Sequence, residues 1–330
     1  MNCEYEDNIF SVSEHNFEAL ALEVFRFQAA ENAVYRQFLA ALKTDMVNVK
    51  RLDQIPFLPI SMFKSSQVTT GSFEPELVFE SSGTTSTINS RHLVKKSAVY
   101  RESFLKTFRQ FYGDPSDWCI IGLLPSYLER TTSSLVYMAN DLIRLSGHPS
   151  GGFYLYDHER LRATLTGLEN AGQKTMLIGV SFALLDFGAT AGLTLNNCVV
   201  METGGMKGRR AEITRPELHQ LLKSYFGVTA VHSEYGMTEL LSQAYSTGKG
   251  VYETPAWMKV MIREDDDPLS VNAKGKGLLN VIDLANIYSC SFIATDDIGI
   301  VNADGSFEVQ GRLDNSDVRG CSLMVSDMHQ

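Results

Sequence analysis

Three short clusters in this sequence carry side chains suited to holding phosphates and a nucleoside. The first is Ser81-Ser82-Gly83-Thr84-Thr85-Ser86. Small hydroxyl residues around a glycine leave backbone N–H groups open and add hydroxyl donors at close range, which suits a polyphosphate. No GK[ST] ending follows, so this is not a Walker loop. The plain alternative is a Ser/Thr-rich surface turn, and turn chemistry alone does not separate the two.

The second cluster is Tyr235-Gly236-Met237-Thr238-Glu239, directly after a strand-like run. Glycine permits close backbone approach. The tyrosine ring can stack on a base, and the glutamate offers a hard oxygen ligand suited to Mg²⁺. Taken alone, it also reads as a strand–helix turn with Thr238 or Glu239 near a cap. The third cluster is Thr295-Asp296-Asp297, then Asp304-Gly305, then Gly311-Arg312 and Asp314. A carboxylate accepts hydrogen bonds from both ribose hydroxyls, and an arginine fork meets phosphate or ribose oxygens. Its plain alternative is two polar turns joined by a hairpin, since Ala303-Asp304-Gly305 is a strong turn signal.

The elements that must position these clusters follow from periodicity. Residues 15–48 carry Phe17, Leu20, Leu22, Phe25, Tyr35, Phe38, Leu39 and Leu42 at helical spacing, and Pro56 and Pro59 interrupt the pattern. LVFE at 77–80 predicts a short strand leading into the hydroxyl-rich turn. A helix follows over 96–112, whose Phe104, Phe108 and Phe111 read as core rather than as an acyl tunnel. Strands are expected at 118–124, 174–180, 197–203 and 228–236. Helices are expected at 133–146 and at 215–226, the latter opened by Pro216. This alternation predicts an α/β fold with a mostly parallel sheet. From about residue 247 short β-type runs alternate with turns such as Ala273–Gly277, which predicts a smaller β-rich subdomain. The expected division is 1–70 helical, 71–246 an α/β nucleotide-binding core, and 247–330 β-rich with a short tail.

Composition narrows the function. The 330 residues carry a net charge of −10, which argues against nonspecific nucleic-acid binding but not against a local cluster of donors for ATP. No long apolar run predicts a membrane span, and the acidic N-terminus lacks the pattern of a signal peptide. The five cysteines, Cys3, Cys119, Cys198, Cys290 and Cys321, are scattered and odd in number. They form neither a disulfide framework nor a metal-binding spacing, so a reducing cytoplasm is the simplest setting. The histidines are single and suggest no metal site; His232 reads as a core or site-lining residue. The run Glu264–Asp267 reads as a solvated loop.

The order and separation of the clusters resemble the adenylate-forming superfamily of acyl-CoA synthetases, luciferases and adenylation domains, over roughly residues 77–320. SSGTTS resembles its phosphate loop, and YGMTE is similar to its adenine and magnesium motif. Gly204-Gly205 resembles the turn beside the adenine, Asp297 the ribose-binding aspartate, and Arg312 the arginine at the interdomain hinge. The resemblance implies ATP and Mg²⁺ as cofactors, with Glu239 on the metal and Thr84 and Thr85 on the phosphates. Tyr127 stands where relatives place a residue near the acyl pocket.

Two departures from the pattern stand out. Ser86 takes the place of the glycine that precedes Pro-Lys in relatives, and Arg91 is the nearest following cation. Only 18 residues follow Arg312, where typical members continue for about a hundred, the size of a small domain. The expectation is a truncated C-terminal lid domain. That shortening resembles the LuxE-type acyl-protein synthetases, which activate a fatty acid with ATP and pass the acyl group to a cysteine and then to a reductase partner. Cys321 stands where that acceptor would be, with Arg319 beside it to favour the thiolate. The alternatives are an acyl-CoA ligase, or a non-catalytic nucleotide-binding subunit of an acyl reductase complex. The other cysteines read as packing residues.

Overall fold

A computed structural model describes residues 6, 8–81, 89–125, 129, 131–204 and 213–313. The expected N-terminal helix is two helices, α1 (Phe17–Glu31) and α2 (Ala33–Ala41). Asn32 divides them. Its backbone is extended (φ −98°, ψ 109°), and its side chain accepts the Tyr35 N–H as the cap of α2. It is fully buried and donates to the Ser289 carbonyl at 2.9 Å. Hydrophobic spacing runs smoothly through this point, so only the tertiary partner of Asn32 reveals the break.

Strand β1 (Leu58–Pro59) is followed by β2 (Leu77–Glu80) and β3 (Arg91–Val94), an antiparallel pair in register from Leu77↔Val94 to Glu80↔Arg91. The hydroxyl-rich segment joins these two strands. β2 follows expectation; β3 does not, because four residues beginning Arg-His carry little strand signal.

Next come α3 (Ser97–Tyr112), β4 (Cys119–Leu123), α4 (Ser134–Ser146), β5 (Gly152–Phe153), α5 (His158–Asn170), β6 (Thr175–Val180), α6 (Ser181–Ala191), β7 (Cys198–Thr203), α7 (Arg215–Phe226), β8 (Val231–Tyr235) and β9 (Ala244–Ser246). The strands form one sheet in the order β5-β4-β6-β7-β8-β9, parallel except for the last pair. Every residue of β4 and β6 is buried, as expected of a parallel sheet covered on both faces. Phe104 and Phe108 of α3 lie in the core and Phe111 is half-buried against it.

Helices α5 and α6 add to the expected set. α6 follows β6 with no intervening turn, and its sequence is apolar nearly all round, so strand and helix read as one run. Gly188 in its middle lets α7 approach; a Cβ there would sit 3.0 Å from Phe226 Cζ.

The remaining strands are β10 (Val251–Tyr252), β11 (Met258–Arg263), β12 (Val271–Asn272), β13 (Gly275–Asp283), β14 (Phe292–Val301) and β15 (Phe307–Arg312). They form an antiparallel sheet in the order β10-β15-β14-β13-β11-β12, and β1 joins it by pairing parallel with β14. Part of the expected turn at 273–277 is strand, since β13 begins at Gly275. Thr295–Asp297 and Gly311-Arg312 are not turns either. They lie within β14 and β15, with only 302–306 turning between them. α1 is tied to this sheet by Gln28, whose amide donates to the carbonyls of Asn286 (3.0 Å) and Ile287 (3.1 Å) and accepts from Ser291 N–H (2.9 Å). No helix among the described residues is long and apolar enough to cross a membrane.

Candidate functional site

The carboxyl ends of β7 and β8 lie side by side, with Thr203 paired to Glu234. Gly204 and Gly236 follow these residues at the edge of a parallel sheet, where α/β folds present a crevice. Above them, β14 and β15 bring Asp297 and Arg312 directly opposite each other. The Tyr235 hydroxyl donates to Asp297 Oδ2 at 2.8 Å, and Arg312 Nε stands 3.7 Å from Oδ1. Residues from 235, 297 and 312 thus form one connected group. Burial pushes the Asp297 carboxyl above its ordinary range, while the Tyr235 hydrogen bond and the Arg312 charge oppose the rise. The Arg312 side chain is 65% exposed, so its guanidinium still presents donors to solvent.

Glu239 joins this group from the other side. It is buried, and desolvation raises its carboxyl; a hydrogen bond with Ser90 and the charges of Arg312 and Lys64 work against that rise. Ser90 closes the stem of the β2–β3 hairpin: Ser90 N–H donates to Ser81 Oγ (2.9 Å), and Ser81 N–H donates to the Ser90 carbonyl (3.1 Å). The hairpin that bears the hydroxyl-rich segment is therefore fixed against the 237–239 turn. His92 adds a second link. Its Nδ1 is 2.9 Å from the Thr238 carbonyl, which can only accept, so that nitrogen carries the proton. Burial holds the His92 pKa down to about 4, and the ring is neutral.

The turn is anchored from below as well. Asn286 Nδ2 donates to the Glu239 carbonyl at 2.8 Å. Asp283 accepts the N–H groups of Leu241 and Ser242, both at 2.9 Å. Ser90, His92, Asp283 and Asn286 carried no sequence signal, because each acts through a partner far along the chain. Arg91 is drawn into an ion pair with Glu80 across the hairpin stem, at 3.4 Å. Ser82, Gly83, Thr84, Thr85, Ser86, Tyr127, Gly205, Asp314 and Cys321 lie outside the described residues. Among the described residues no cluster of three His, Cys, Asp or Glu is placed to hold a metal.

A sequence profile for the acyl-protein synthetase LuxE matches residues 8–329. The chain belongs to the LuxE acyl-protein synthetase family. The long-chain-fatty-acid–luciferin-component ligase of Vibrio harveyi is 24% identical over 327 residues, 92% of this chain and 85% of its own length. Among solved structures, ATP-bound MatB of Rhodopseudomonas palustris superposes with a TM-score of 0.52 at 14% identity, covering 73% of this chain and 49% of MatB. The O-succinylbenzoate coenzyme A synthetase MenE of Bacillus subtilis, in complex with ATP and magnesium, gives 0.51 at 16%, covering 71% and 49%. The chain spans about half the length of these solved structures. Its fold is that of the adenylate-forming enzymes, and family membership makes it an acyl-protein synthetase.

Beneath the crevice this LuxE-family synthetase holds a buried acid that sequence reading passed over. Glu234 accepts a short hydrogen bond from Thr203 Oγ1, and a Cβ at Gly236 would collide with its Oε1. Burial first, and the neighbouring Glu202 charge second, push its pKa up to about 7. A carboxyl raised from an ordinary value near 4.5 is easily kept while protonated and becomes a burden once ionised. Its stabilising share is therefore complete below pH 4.5 and lost as pH rises through about 7. Glu234→Gln removes this dependence. Its stability relative to the parent chain, from urea unfolding, rises between pH 5 and pH 8 by up to about 3 kcal/mol. A difference that stays flat over that range shows that Glu234 is ionised throughout.

Proposed function

We propose that the chain uses ATP to convert a fatty acid to its acyl-adenylate and then transfers the acyl group to the thiol of Cys321, before passing it to an acyl reductase or acyltransferase partner. The observation that carries this reading is the convergence of four segments far apart in the sequence: the 81–90 hairpin stem, the 235–239 turn, Asp297 and Arg312.

In the first step a carboxylate oxygen of the acid attacks the α-phosphorus of ATP and pyrophosphate leaves. The protein has little covalent work here, so positioning and charge neutralisation dominate. Backbone N–H groups of residues 82–85 and the hydroxyls of Thr84 and Thr85 hold phosphate oxygens. Gly204 and Gly205 and the Tyr235 ring flank the adenine. Asp297 accepts from the ribose hydroxyls, and Tyr235, donating to the same carboxylate, fixes its orientation. Arg312, paired with Asp297 and largely exposed, orients the nucleotide.

The donor set fits Mg²⁺. Glu239 would supply one hard oxygen ligand, with no cage of acids, histidines or cysteines around it among the described residues, which suits an ion that keeps waters and takes substrate phosphates as partners. When bound, Mg²⁺ neutralises phosphate charge. In the second step the Cys321 thiolate attacks the acyl carbon, AMP leaves, and a thioester is stored. The scattered cysteines fit a cytoplasmic setting; Cys119, Cys198 and Cys290 are free thiols.

Intact-mass spectrometry after incubation with ATP, Mg²⁺ and mixed fatty acids tests the whole reading. The expected spectrum shows one added acyl group, whose mass names the acid. No mass gain, with acyl-CoA formed when CoA is supplied, moves the chain to the CoA ligases.

A further inference from the structure

Arg215 lies outside every motif, in the first turn of α7. Its Nε reaches Glu202 Oε1 at 3.3 Å, its Nη1 donates to the Val309 carbonyl at 2.9 Å, and its guanidinium stands over the Tyr252 ring at 5.2 Å. These partners come from both sheets. Glu202 is buried near the end of β7, two residues before Gly204. Ser181 Oγ is 3.3 Å from that carboxylate and donates to the Gly204 carbonyl at 2.6 Å. His219 Nε2 lies 3.5 Å from Glu202. Burial favours the protonated acid, but His219, Arg215 and Ser233 outweigh it and hold Glu202 below its ordinary range. The guanidinium thus has a fixed anion to hold it.

The other end of the contact is the weak part of β15. Among the described residues β10 pairs with Phe307 and Glu308, and no strand among them pairs with the outer edge of β15 beyond these two. On the inner side the register with β14 slips: Val309 pairs with Gly299 and Gly311 with Ile298, which leaves Gln310 as the extra residue of a bulge. A bulge re-aims the side chains that follow it and leaves backbone groups without ladder partners. Arg312 is two residues past Gln310, and its pairing with Asp297 depends on how the bulge is held.

We infer that Arg215 is a positioning residue for the nucleotide site: anchored on Glu202, it clamps the β15 bulge through the Val309 carbonyl and so holds Arg312 on Asp297. One residue then sets the spacing between the Gly204 wall and the Arg312 wall of the crevice. This role rests on the nucleotide-binding reading of the site.

Equilibrium binding of ATP–Mg²⁺ to the full chain tests it, with Arg215→Met, Arg215→Lys, Arg312→Ala and the Arg215→Met/Arg312→Ala double variant. Arg215→Met is expected to weaken binding about tenfold. Since Arg215 acts through Arg312, the double variant binds about as well as Arg312→Ala alone, whereas independent effects would multiply. Arg215→Lys keeps a charge beside Glu202 but lacks the fork that spans two acceptors. It is expected to unfold at the parent temperature and still lose about threefold in affinity, which separates positioning from folding. Unchanged affinity in both single Arg215 variants, or losses that multiply in the double variant, overturns the inference. A parent chain with no affinity for ATP overturns both this role and the reading beneath it.

Discussion

Replacing Glu239 with alanine lowers carboxylate-dependent ATP–pyrophosphate exchange by roughly 10²-fold or more, the scale expected when a metal ligand in phosphate chemistry is lost. Two effects contribute to the choice of this residue. Glu239 is a buried carboxylate whose desolvation is only partly offset by Ser90 and by the charges of Arg312 and Lys64. Such a group is a cost to the fold unless a cation or a ligand uses its charge. Its backbone carbonyl is separately engaged by Asn286, so truncating the side chain leaves the turn anchored. Glu239→Gln sharpens the test. It keeps the size of the side chain and removes the charge, so thermal unfolding should stay near the parent value while exchange still falls steeply. Exchange that survives either substitution removes Glu239 from the mechanism.

The site was legible where chemistry is concentrated in contiguous residues. Tyr235, Gly236 and Glu239 form one short run, and Asp297 and Arg312 stand in recognisable pairs. Their meeting in space is what the fold adds, through the Tyr235–Asp297 hydrogen bond and the Asp297–Arg312 cross-strand pair. What stayed hidden acts across long separations. Ser90 and His92 reach residues 239 and 238 from the hairpin, and Asp283 holds 241 and 242. Each is a lone polar residue in an ordinary context, and a lone polar residue carries no periodicity. The polar run at 295–297 read equally as a turn because Asp is rare in strands. Here β14 carries it beside β15, where pairing with Arg312 outweighs local propensity.

The fold shows the same division. The parallel core was readable from its continuous apolar runs, because strands buried on both faces need them. Helix α6 was not, since it is buried nearly all round and fuses with β6 in the pattern. Asn32 shows the opposite case: a residue that reads as part of a helix ends one, because its amide is required by Ser289 and Tyr35.

Substituting Cys321 with serine abolishes the hydroxylamine-labile acyl label while leaving the exchange reaction in place. The two outcomes separate because adenylation precedes thiol attack and does not use the thiol. Competing acceptors among the described cysteines are poor. Cys119 and Cys290 are buried, with thiols pushed up to about 11 and about 12. Cys198 is half-buried, and its thiol donates to the Val199 carbonyl and is pushed up to about 12. A thiol with so high a pKa supplies almost no thiolate near neutrality, and the thiolate is the nucleophile. Cys321 stands two residues from Arg319 in the sequence, and a cation beside a thiol favours the thiolate. Cys3→Ser serves as the control and should retain the label. Serine at 321 should not replace the thiol in this role, because an unactivated hydroxyl is a far weaker nucleophile and its oxygen ester resists neutral hydroxylamine. A label that persists in Cys321→Ser but disappears in Cys3→Ser moves the acceptor to the other end of the chain, and one that persists in both assigns it to a buried thiol or to a residue other than cysteine.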